Sequence, residues 1–171
     1  MRAVRILREG TVTDAMHPSF YFAYGSNMNQ ARLRERLARC KEQLLSRHCA
    51  TLDDYRLAFD KVSSQHDGVG FANIAPATGG RVEGTLNAMS ARALQALDAI
   101  ELVPHHYHRV EVVVRDTVTG ALTPAFTYVA NPGMVRPNLK PTTEYIGHLL
   151  AAADLLPGGY LDELRAVQCC P

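Results

Sequence analysis

The chain has no marked excess of either charge, no apolar run of bilayer length and no C-x-x-C pair, and each absence narrows the class of function. A formal net charge of +1 over 171 residues sets up no global field that would collect nucleic acid or anionic lipid. Apolar stretches fall well short of the roughly 20 residues that span hydrocarbon. The first residues lack the apolar block and small-residue cleavage pattern of a secretory signal. The expectation is a cytoplasmic protein that binds neither membrane nor nucleic acid. Cys40, Cys49, Cys169 and Cys170 have no zinc-site spacing and form no disulfide frame, so they read as reduced thiols.

What is present suits one domain with a sizeable core: 47% of residues are hydrophobic and 20% charged. Residues 1–18 carry Arg and Gly without sustained periodicity and end at His17-Pro18. They read as a mobile N-terminal extension, leaving 19–171 as a single domain. Residues 20–24 (FYFAY) are apolar without alternation, as expected of a short strand covered on both faces. Gly25 breaks the strand, and Asn27 with Gln30 predicts a capped helix through Leu33 and Leu37. Arg32, Arg34, Arg36 and Arg39 on that helix read as a solvated face.

Further strands are predicted over 55–59, 69–75, 82–89, 107–115 and 122–130, the last two joined as a hairpin. Ser90 predicts the cap of a second helix with Leu94, Leu97 and Ile100 as its stripe, and helices are predicted again over 145–153 and after Gly159. Strands outnumber helices and several are hairpin-linked. The pattern is that of an α+β fold with a mostly antiparallel sheet, open or closed.

Three clusters carry chemical potential. The turn at Gly25, Ser26 and Asn27 joins a strand to a helix. It is either punctuation or a place where free N–H groups and a helix N-terminus hold an anion. Glu101, among Ile100, Leu102 and Val103 at a helix end, is either solvent-facing or a carboxylate raised in pKa by apolar neighbours and the helix dipole. His105, His106 and His108 follow Pro104 into a strand, which fits exposed entry residues better than metal ligands. Ser26 lacks the G-x-S-x-G elbow of a nucleophile and fits a positioning role.

Taken in order, several segments resemble the γ-glutamylcyclotransferase family: FAYGSN around Gly25, YRLAFD over 55–60, VEGTL over 82–86, Leu97-Asp98 with Glu101, YHRV over 107–110, and TYVA over 127–130, with residues 137–145 following. The resemblance spans about residues 20–168 and implies a small mixed, mostly antiparallel β-barrel flanked by helices. It also implies a cofactor-independent and metal-free enzyme, a monomer or homodimer, that converts a γ-glutamyl amide to 5-oxoproline and a free amine. By that resemblance Glu101 is the catalytic general acid and base. Tyr24, Gly25, Ser26, Asn27, Tyr107, Tyr128 and Tyr145 form the substrate pocket, although a tyrosine at such positions also commonly packs its ring.

The spacing from Glu101 to Tyr107 differs from some members of the family by about a residue, and the glycine turn differs from the glutathione-specific branch. The leaving group is therefore open: an amino acid, an alkylamine or a natural-product intermediate. The rival reading is a non-catalytic small-molecule or protein-binding module on the same fold, against which the presence of Glu101 argues.

Overall fold

A computed structural model describes residues 18–170, so all but the last residue of the expected N-terminal extension lies outside the described residues. Strand β1 (Ser19–Ala23) shows why its sequence does not alternate. Phe22 packs inside a barrel with Leu52, Ile74, Val82, Leu86 and Val114, whereas Tyr21 and Ala23 face a second cluster shared with the helices. Both faces of the strand are covered.

After β1, a short 3-10 turn (Ser26–Met28) leads into α1 (Gln30–Arg39). The cap differs from expectation by two residues: Asn29 accepts from the Arg32 N–H at 3.1 Å, so Asn27 is freed for another task. Two long strands follow, β2 (Leu44–Val62) and β3 (Gly70–Met89), paired antiparallel along nearly their whole length. The separate short strands expected over 55–59, 69–75 and 82–89 are parts of these two, and local punctuation falls at Asp54 and Gly79-Gly80. In the fold it marks irregular positions within continuous strands. Asp54 takes a left-handed conformation (φ 62°) and its carboxylate accepts from the Gly79 N–H at 2.8 Å.

Helix α2 (Ala91–Ile100) is capped by Ser90, as expected, and the β4–β5 hairpin (Tyr107–Asp116 and Leu122–Ala130) follows. Helices α3 (Thr143–Leu150) and α4 (Gly158–Arg165) complete the chain. The strands close a barrel in the order β1-β3-β2-β4-β5, antiparallel except for the β1–β5 seam at Tyr21 and Phe126. This is the predicted mixed, mostly antiparallel barrel with flanking helices. Closure leaves Gly84 no room for a side chain: a Cβ there would lie 2.4 Å from the Ala23 carbonyl oxygen and 2.7 Å from the Phe22 ring.

Candidate functional site

The end of α2 is built to hold one side chain still. Glu101 is the C-cap residue; Leu102 then turns left-handed (φ 54°), and the Val103 N–H reaches back to the Asp98 carbonyl at 2.9 Å. That pairing closes a Schellman-type helix end. Asp98 itself is tied to the barrel, accepting from Arg109 of β4 at 2.8 Å and from the Tyr128 hydroxyl of β5 at 2.9 Å. The last turn of α2 is thus anchored on two strands, close to where the helix ends.

Glu101 points to the 3-10 turn after β1. Its Oε1 accepts from Asn27 Nδ2 at 3.0 Å and from Arg36 Nη1 at 3.2 Å. The Asn27 amide is fully used, since its other N–H meets the Tyr21 hydroxyl at 3.0 Å and its Oδ1 accepts from Arg36 at 2.7 Å. Asn27 therefore positions the carboxylate, and Arg36 supports both. The expected solvated arginine face holds for Arg34 and Arg39, which are exposed; Arg32 and Arg36 turn inward and line a cleft.

With 18% of its side chain accessible, Glu101 is largely removed from water. Burial pushes its carboxyl above the ordinary value, and this outweighs the opposing pull of Arg36, Asn27, Arg32 and Lys61. The surroundings responsible differ in part from those read from sequence. Leu102 is half exposed and Val103 packs into the helix-side cluster, while Tyr21, Tyr24, Tyr107, Tyr128 and Tyr145 share with Glu101 a narrow recess of about 40 Å³.

Gly25, Ser26 and Asn27 form the opposite wall of this recess. The Met28 and Asn29 N–H groups close onto the Gly25 and Ser26 carbonyls at 2.9 and 3.2 Å. Among the described residues, the N–H groups of Gly25, Ser26 and Asn27 have no main-chain acceptor. Gly25 is needed for space: a Cβ would meet the Tyr145 hydroxyl at 3.0 Å and the Ala72 Cβ at 3.1 Å.

Two tyrosines hang on one residue of β3, the Ala72 carbonyl accepting from the Tyr107 hydroxyl at 3.0 Å and the Ala72 N–H donating to that of Tyr145 at 3.1 Å. The Tyr24 hydroxyl is spent on the Tyr128 carbonyl, and that of Tyr128 is turned to Asp98 and α2, so these two offer ring faces more than free hydroxyls. Burial raises all five phenols, Tyr145 to about 12, so they stay protonated at neutral pH and act as hydrogen-bonding groups, not bases.

Outside the recess lies an open cleft of about 550 Å³ that shares Ser26, Glu101, Tyr107 and Tyr145 with it. Sequence reasoning missed Lys61, which lines this cleft while only 4% exposed. It sits just past a register shift in β2 between Ala58 and Lys61, where regular alternation fails. Its Nζ lies 3.0 Å from His106 Nδ1 and over the rings of Phe71 and Tyr107. The histidine run does not converge: His106 faces Lys61, and His108 meets Asn131 at 2.9 Å. Among the described residues no three His, Cys, Asp or Glu side chains gather as metal ligands, and no helix is long and apolar enough to cross a membrane.

A closed five-stranded barrel that presents a glycine turn to one buried helix-end carboxylate defines a protein of cyclotransferase-like fold. The comparison with known families makes this specific. The family described as Gamma-glutamyl cyclotransferase, AIG2-like matches residues 21–147, and the chain belongs to that family. A solved structure described as gamma-glutamyl cyclotransferase is similar at 25% identity and a TM-score of 0.77, over 90% of this chain and 89% of that one. An uncharacterised protein from Homo sapiens is similar at 26% identity and a TM-score of 0.77, with 90% of each chain covered. The fold extends to a yeast gamma-glutamyl cyclotransferase specific to glutathione, at 14% identity, a TM-score of 0.61 and coverage of 86% and 94%. No curated protein matches the sequence.

Proposed function

We propose that this protein cyclises γ-glutamyl amides to 5-oxoproline and a free amine, with Glu101 as general base and then general acid. The observation that carries the reading is the buried Glu101 carboxylate, fixed by Asn27 and Arg36, sharing one recess with the Gly25 turn.

The γ-glutamyl group enters the recess and its leaving amine extends into the cleft. Glu101 takes a proton from the substrate's α-ammonium, freeing its lone pair. The amine attacks the γ-carbonyl carbon, closing a five-membered ring, and the carbonyl electrons move to oxygen. The N–H of Gly25 serves that developing oxyanion, while Ser26 holds the neighbouring Tyr145 hydroxyl. As the oxyanion returns its electron pair, the bond to the leaving nitrogen breaks and the Glu101 proton is delivered to it. The ring nitrogen gives up its second proton through the same carboxylate, so the amine departs as an ammonium ion and Glu101 is regenerated. A carboxyl raised in pKa suits both directions of transfer.

The narrow recess contributes by keeping a flexible chain folded. Well-oriented intramolecular reactions gain roughly 7–11 kcal/mol from such proximity. Tyr107 and Tyr145, pinned by Ala72, form the walls that set this shape. No enzyme nucleophile is required, and Ser26 serves through its backbone.

The test is product analysis with γ-glutamyl-L-alanine. Equimolar 5-oxoproline and alanine is the expected result. Glutamate and alanine would show attack by water and overturn the cyclisation.

A further inference from the structure

Outside the recess, the cleft carries positive charge that the proposed cyclisation does not use. Arg36 is committed to Glu101, but Lys61 and Arg32 also line the cleft and are absent from the recess. Among the described residues neither forms an ion pair. Arg32 Nε is buried without a hydrogen-bond partner there. Besides Glu101, the carboxylate on the cleft is Glu144, exposed at its rim.

Lys61 is the more unusual of the two. An ammonium carries three donors, and one of them meets His106 Nδ1. Burial, reinforced by Lys61 and His105, lowers the His106 pKa, so its ring is neutral and accepts the bond without cancelling the charge. The faces of Phe71 and Tyr107 add cation–π attraction at 5.3 and 5.4 Å. A cation buried in this way is costly unless an anion joins it. Tyr107 borders both recess and cleft, which places Lys61 one aromatic ring beyond the γ-glutamyl position, on the leaving-amine side.

Resting on the cyclotransferase reading, we infer that Lys61, within the positive field it shares with Arg32, binds a carboxylate on the leaving group, so that the substrates are γ-glutamyl amino acids or peptides and not γ-glutamyl derivatives of simple amines. Lys61 is then a specificity-determining residue.

The experiment compares γ-glutamyl-L-alanine with γ-glutamyl-L-alaninamide, which keeps the shape and removes one negative charge. Charge-assisted hydrogen bonds predict that kcat/KM favours the acid by about 10- to 100-fold, chiefly through KM. Lys61→Met should bring the ratio of the two substrates toward one, and Lys61→Arg should retain most of it. Equal kcat/KM for the two compounds in the wild type overturns the inference while leaving the cyclotransferase reading intact, and this arm needs no variant to fold. A Lys61→Met variant that loses equally on both compounds would assign Lys61 to the glutamyl carboxylate and also overturn it. If neither compound yields 5-oxoproline, the activity reading fails by itself. Calorimetric affinities of both compounds for the wild type then decide the inference, equal values refuting it and tighter binding of the acid supporting it.

Discussion

Replacing Glu101 by Gln removes the proposed proton carrier and little else. The amide oxygen occupies the place of Oε1 and still accepts from Asn27 and Arg36, which now lie at 3.0 and 3.2 Å. Positioned general acid–base groups contribute about 10²–10⁴-fold, or roughly 3–5 kcal/mol of barrier. Turnover of γ-glutamyl-L-alanine, followed as 5-oxoproline by chromatography, should fall by that factor while calorimetry still detects binding. Stability should move the other way. Burial raises the Glu101 pKa in the folded chain, so the protonated carboxyl favours folding. That contribution is full below the unfolded value of about 4.3 and is lost as pH rises through the higher folded value. Glu101→Gln, which carries no charge at any pH, should therefore melt at the same temperature as the wild type or higher at neutral pH. A variant that turns over within about threefold of the wild type would remove Glu101 from the proton transfers. A sharply lower melting point at neutral pH would show that the ion pair with Arg36 outweighs burial, and so refute desolvation as the dominant influence on this carboxyl.

Arg36→Met takes away the largest influence holding the Glu101 pKa down, so the acid limb of the kcat/KM profile should move to higher pH than in the wild type. A limb that stays put or moves down would separate Arg36 from the titration of Glu101. Ser26→Ala should keep activity within about tenfold, because the proposed mechanism uses the backbone of the turn and not its hydroxyl. Loss of all activity in a folded Ser26→Ala protein, or a covalent γ-glutamyl adduct on Ser26 detected by mass spectrometry, would establish nucleophilic catalysis instead.

The parts of the site that the sequence makes legible are those whose local chemistry is self-contained. A strand, a glycine and a polar turn can be read at residues 20–27, and a capped helix ending near Glu101 can be read from Ser90, Leu94 and Leu97. Lys61 is illegible because its inward direction follows from a register shift in β2, and nothing in YRLAFDK announces one. Long strands are hidden for a related reason, since Asp54 and Gly79 bend the β2–β3 ribbon without ending it. Arg36 did leave a signal. Arg32 and Arg36 lie four apart on one side of α1, next to the stripe of Leu33 and Leu37; Arg39 follows in the same phase but at the exposed last residue of the helix, and Arg34 lies on another side. Phase sets Arg34 apart and position along the helix sets Arg39 apart, which leaves Arg32 and Arg36 toward the cleft. Asn27 follows the same logic. Once Asn29 takes the cap, Asn27 has both its donors and its acceptor available, and Tyr21, Glu101 and Arg36 consume all of them. The two-residue displacement of a helix cap is therefore what converts a capping side chain into the support for the carboxylate on which the proposed chemistry depends.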